Sequence, residues 1–155
     1  EIVFVPTDVL CSGLKKLLDV RRVIGLRNPA HSLVKLINPT AGDALLVSSY
    51  THPEYALSMA ATFELTGARA VLLRGTEGEV VADPRRTPRM DAFAHGQRIL
   101  LAEAQTGSLQ QLPNLPQEID PTSTARYIQA VLDGRLPIPA PLTQQVHAIL
   151  RALAL

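Results

Sequence analysis

Cysteine, tryptophan and long apolar runs are what this sequence most lacks, and each shortage removes a class of protein. A single cysteine, Cys11, leaves no partner for an internal disulfide and no thiolate pair for zinc. Aromatic residues make up 4% of the chain and tryptophan is absent, which argues against the aromatic platforms that stack successive bases of single strands. No apolar run approaches the ~20 residues of a membrane span, and no basic start followed by an apolar stretch marks a signal peptide. The four histidines, His31, His52, His95 and His147, show no metal-ligand spacing, and neither Gly-x-Ser-x-Gly nor a Walker loop occurs. What remains is a chain of 155 residues, 46% hydrophobic and 19% charged, enough to bury a core and far from disordered composition. A soluble, cytoplasmic protein is the expectation.

The first residue is Glu1, not Met, and Ile2-Val3-Phe4-Val5 reads as a β-strand that needs neighbours for its backbone hydrogen bonds. That start predicts an internal strand of a longer protein. Apolar residues at Leu14, Leu17, Leu18, Val20, Val23 and Ile24 predict a helix from Ser12 to Ile24, stopped by Gly25. A short helix is expected from His31 to Ile37. Leu45-Leu46-Val47 and Ala70-Val71-Leu72-Leu73 read as buried strands joined by a helix from about Thr51 to Thr66. Thr51 and Glu54 have the spacing of a capping box. Glu79 to Ala82 and Gln97 to Ala102 read as further strands, Asp120-Pro121 opens a helix to about Asp133, and a last helix runs from about Pro141. Strand, helix and strand in this order predict an α/β fold, a mainly parallel central sheet with helices on both faces.

Charge is unevenly placed. Residues 1–40 carry six basic and three acidic side chains, residues 41–82 two and five, and residues 83–98 four and two. Two basic segments therefore flank an acidic one, a pattern for anion contacts at particular places. Arg21 stands on the apolar stripe of its helix between Leu14, Leu17 and Leu18, so it is expected to point at a core, a carboxylate or an anion cleft. Its bland alternative is a stem that lies on apolar surface while the head reaches water. Arg27-Asn28-Pro29-Ala30-His31 would aim a helix N-terminus and a guanidinium at an anion, or form a solvated turn. Gly75-Thr76-Glu77-Gly78-Glu79 follows a predicted parallel strand, where open α/β sheets place ligand crevices, and is otherwise a tight turn. Arg85, Arg86 and Arg89 make a basic loop suited to phosphates or simply to solvent. Cys11 is read as a small core residue.

Val20-Arg21-Arg22-Val23-Ile24-Gly25-Leu26-Arg27, followed by Asn38-Pro39, His52-Pro53-Glu54-Tyr55 and Arg74-Gly75-Thr76-Glu77-Gly78, resembles the anthranilate phosphoribosyltransferase-like family, glycosyltransferase family 3, over about residues 1–135. The resemblance implies that residues 1–155 form the C-terminal part of the family's α/β domain. A helical dimerisation domain and a glycine-rich phosphoribosyl pyrophosphate loop would lie upstream. It also implies that Arg21 is a substrate contact. Departures are equally specific: Cys11 stands for a substrate-site histidine, and Val80-Val81 for a metal-binding Asp-Glu pair. These departures resemble a branch without the anthranilate activity that includes a nucleic-acid binder. The resemblance thus implies a protein binding nucleic acid or another polyanion through Arg21, Arg22, Arg27, Lys35 and His31, with no catalytic residue and no metal assigned. The alternative it implies is a phosphoribosyl transferase dependent on Mg²⁺, acting on anthranilate or a related acceptor, with a homodimer in either case.

Overall fold

The computed structural model of the chain describes residues 2–75, 82–109 and 113–155. Its elements are α1 (Thr7–Leu10), α2 (Ser12–Ile24), α3 (Ala30–Leu33) continued by a 3-10 turn (Val34–Leu36), β1 (Leu46–Tyr50), α4 (Pro53–Thr66), β2 (Ala70–Arg74), β3 (Met90–Ala94), β4 (Gln97–Ala102), α5 (Pro121–Leu132) and α6 (Ala140–Ala152). The four strands form one sheet in the order β1-β2-β3-β4. This is an α/β fold with helices against the sheet, as the alternation of elements predicts. The sheet is mixed and not mainly parallel as expected: β1 and β2 run parallel, whereas β2–β3 and β3–β4 are antiparallel, the last because a tight hairpin and not a crossover helix joins β3 to β4.

The apolar run Ala70 to Leu73 makes β2 an inner strand because both of its faces are covered. On one face Ala70 and Leu72 pack with Phe93 of β3 and with Met59, Ala60 and Phe63 of α4. The Phe63 and Phe93 rings lie 5.4 Å apart and tilted by 50°. On the other face Val71, Leu73, Met90, Ala92 and Leu101 pack with Ala148 and Ala152 of α6, whose small side chains let the helix approach closely.

Strand β3 has no counterpart in the sequence reading. Asp91 interrupts its apolar run, although every residue from Met90 to Ala94 is buried. A two-residue turn joins it to β4, with Ala94 paired to Gln97 and positive φ at both His95 (52°) and Gly96 (75°). That is the primed geometry whose twist suits a hairpin. A Cβ on Gly96 would stand 3.2 Å from the Glu64 carbonyl oxygen, so glycine also permits α4 to lie close.

Several expectations are corrected. Ile2 to Val5 form no strand and are exposed, Ile2 wholly so, since no strand lies beside them among the described residues. Helix α2 has the predicted bounds but no buried residue, and Arg21 is exposed. Periodicity says which side chains share a face, not whether anything covers it. Cys11 is likewise exposed, in the link between α1 and α2. Ala82 lies in no strand, and Glu79, Val80 and Val81 fall outside the described residues. The capping box is not made: Pro53 opens α4, which places His52 at the N-cap, and the Thr51 hydroxyl is paired with His52 Nδ1 at 2.9 Å. Asp120 behaves as predicted, its carboxylate accepting from the backbone N–H groups of Thr122 (2.8 Å) and Ser123 (2.9 Å). No helix among the described residues is long and apolar enough to cross a membrane.

Candidate functional site

At the carboxyl end of β1 the chain turns through Thr51 and His52 into α4, and a cleft of about 580 Å³ opens there. Open α/β sheets place ligands at such strand ends. One wall carries Arg27, Asn28, His31 and Lys35; the other carries Tyr50, His52, Tyr55 and Met59. Three residues that the sequence reading singled out for anion contacts, Arg27, His31 and Lys35, are therefore brought together.

Local hydrogen bonds set the first wall. Asn28 donates through Nδ2 to the Leu17 carbonyl of α2 (2.6 Å) and accepts at Oδ1 from the Ala30 N–H (3.0 Å). It ties α2 to α3 and leaves Arg27 at the mouth of the cleft. The same bond corrects the expectation of a helix N-terminus aimed at an anion: α3 is a single turn, and Asn28 itself satisfies the Ala30 N–H. His31 Nδ1 stays with Asn28, 3.3 Å from its backbone nitrogen and 3.2 Å from its carbonyl oxygen. Lys35 Nζ donates to the Ser49 carbonyl (3.0 Å) and Ser48 Oγ donates to the Lys35 carbonyl (2.9 Å), strapping the 3-10 turn to β1.

The second wall was missed as a site, though His52-Pro53-Glu54-Tyr55 follows a predicted strand directly and position alone could have found it. Tyr50 packs against the core that includes Phe63 and Phe93. The rings of His52 and Tyr55 meet edge to face, centroids 6.0 Å apart. One strand along, Arg74 is the register partner of Tyr50, and the Gly75 N–H donates to the Tyr50 carbonyl (2.8 Å). Thr76, Glu77, Gly78 and Glu79 lie outside the described residues.

Arg21 and Arg22 extend the basic surface along α2. Asp19 pairs with Lys15 and lies 3.7 Å from Arg22, whereas Lys16, Arg21 and Arg27 make no ion pair among the described residues. The arginines of the 85–89 loop differ. Arg85 grips Asp83 through Nε (3.0 Å) and Nη2 (3.1 Å). Arg89 grips Asp91 with two bonds of 3.0 Å and reaches Glu103 at 3.3 Å, and Arg98 adds a 2.8 Å bond to Asp91 from the next strand. Arg98 also lies over the Phe93 ring, 5.9 Å from its centroid. Burial alone pushes the Asp91 carboxyl up, but the hydrogen bonds from Arg98 and Arg89 more than offset this and hold it below the ordinary aspartate value. Asp83 is lowered in the same way by Arg85. Only Arg86 of this loop makes no ion pair among the described residues. It lines a separate cleft of about 640 Å³ beside Tyr127 and the Pro137-Pro139-Pro141 hinge.

Among the described residues no group of three or more His, Cys, Asp or Glu is placed to hold a metal ion. No family model matches the chain. The chain is 42% identical over 152 residues, 97% of its length, to the uncharacterized protein YbiB of Escherichia coli (strain K12). It spans about half of that relative, 47% of its length.

Proposed function

We propose that this chain binds nucleic acid or another polyanion without sequence preference, through phosphate contacts from Arg21, Arg22 and Arg27 that lead to the cleft. The reading rests on one observation: Lys16, Arg21 and Arg27 are exposed and make no ion pair among the described residues, while Arg85 and Arg89 are held by carboxylates. Unpaired surface cations release condensed counterions from phosphates, so affinity falls linearly in log K against log[salt]. The anthranilate phosphoribosyltransferase-like resemblance, in its branch without that activity, leads to the same reading. A homodimeric, cytoplasmic setting belongs to the proposal.

A second reading, phosphoribosyl transfer to anthranilate or a related acceptor, draws support from the cleft's position at a strand end beside Arg27. Glu77 and Glu79, the carboxylates nearest in sequence to the expected Mg²⁺ site, lie outside the described residues.

Anisotropy titration of a labelled oligonucleotide with the full chain across a salt series tests the first reading. Arg21→Met is expected to weaken binding and reduce the magnitude of the salt slope by about 0.7 to 0.9. A salt-independent affinity, or no binding, overturns it. Turnover of phosphoribosyl pyrophosphate with Mg²⁺ and anthranilate would establish the second, and its absence rejects it.

A further inference from the structure

We infer that the cleft at the end of β1 takes one unpaired nucleotide of a strand, its base against Tyr55 and His52 and its phosphate at Arg27. This inference rests on the polyanion reading and deepens it.

Aromatic residues are scarce, and where they converge is therefore informative. The chain has three tyrosines and no tryptophan. Two of those tyrosines, Tyr50 and Tyr55, line this one cleft together with His52. Composition argues against a stacking platform along a strand, but a single pocket needs only one convergence. Tyr55 is 43% exposed, so its ring is offered to the cleft and not spent on the core. Tyr50 is anchored against that core, and Met59, 3% exposed, supplies a buried apolar surface. Every base has a π-face, so an aromatic wall reads bases without preferring a sequence.

Charge is complementary to the same ligand. Arg27 lines the cleft, exposed and without an ion pair among the described residues, and its guanidinium can meet a phosphate with two N–H groups. Asn28 beside it is already committed through both ends of its amide, so it holds the wall and leaves phosphate contact to Arg27. The volume of about 580 Å³ falls within the range of pockets that bury a small ligand. A base inside a duplex is stacked on both faces and paired along its edge, so it cannot enter without being extruded. Only an unpaired nucleotide enters freely.

The test compares a single strand with a duplex of equal phosphate number, each titrated against the full chain at several salt concentrations. The single strand is expected to bind about tenfold more tightly, within the range that loss of one base stack produces. Tyr55→Ala should abolish that preference with the salt slope unchanged, and Tyr55→Phe, which keeps the ring, should retain it. Adenosine, which carries the base without a phosphate, should compete for the single strand's extra affinity and leave duplex binding unaltered. Equal binding of strand and duplex by the unaltered chain, or a preference that survives Tyr55→Ala, overturns the pocket while the polyanion reading stands. Failure to bind either nucleic acid overturns the polyanion reading, and this inference with it.

Discussion

The basic stretches from Lys15 to Lys35 and from Arg85 to Arg98 look alike as sequence, yet the fold uses them differently. In the second, Asp83, Asp91 and Glu103 take up Arg85, Arg89 and Arg98. In the first, among the described residues, the cations of α2 engage Asp19 alone, and Arg21 and Arg27 are exposed without an ion pair. The net charge of a segment therefore does not measure the charge it can offer a ligand; internal pairing does. Arg89 and Arg98, closed on Asp91, hold the β3–β4 hairpin together, whereas unpaired arginines form a surface.

Breaking the pairing should convert the second stretch toward the first. Asp91→Asn is expected to destabilise the chain by about 2 to 4 kcal/mol in denaturant unfolding, because Arg89 and Arg98 lose a partner that is only 4% exposed. The same variant should raise polyanion affinity, with two guanidinium groups released. Unchanged stability would show the Asp91 cluster to be ornamental. The sign of the pH effect follows from the lowered carboxyl: its contribution is present above the ordinary aspartate value and is lost as pH falls through the lower folded value. Stability of the unaltered chain should fall below about pH 4, and Asp91→Asn should show less of that fall.

The smallest expected effect sharpens the contrast from the other side. Arg85→Gln removes a half-exposed ion pair and should cost less than about 1 kcal/mol, with polyanion affinity unchanged. A loss of affinity as large as that for Arg21→Met would show the paired loop to be part of the binding surface after all.

How much of this was legible in sequence differs between elements. Helix α2, strands β2 and β4 and the Asp120 cap follow from local patterns whose period or spacing is physical, and they stand close to where those patterns place them. Strand β3 is hidden because its Asp91 carboxylate is satisfied by arginines from before the strand and from its neighbour, a compensation no period reveals. The adjacent His95-Gly96 pair was its one local signal. At the cleft, Arg27, His31 and Lys35 are legible as candidate anion contacts, but the aromatic wall is not. Tyr50, His52 and Tyr55 meet them only through the pairing of β1 with β2 and the strap from Lys35 to Ser49. Arg21 is exposed and not turned to a core, because no residue of α2 is buried among the described residues.

The His95-Gly96 turn bears on the order of assembly. It closes the β3–β4 hairpin over two residues, whereas β1 and β2 must wait for the whole of α4 to form and dock between them. Hairpins close in about 1 to 10 μs, so β3–β4 is predicted to be the first protected element in pulsed hydrogen exchange, with β1 later. Simultaneous protection of all four strands would contradict that order. The cleft, built on the end of β1, would then be among the last parts of the molecule to exist during folding, and a partly folded chain would carry its cations without the pocket they lead to.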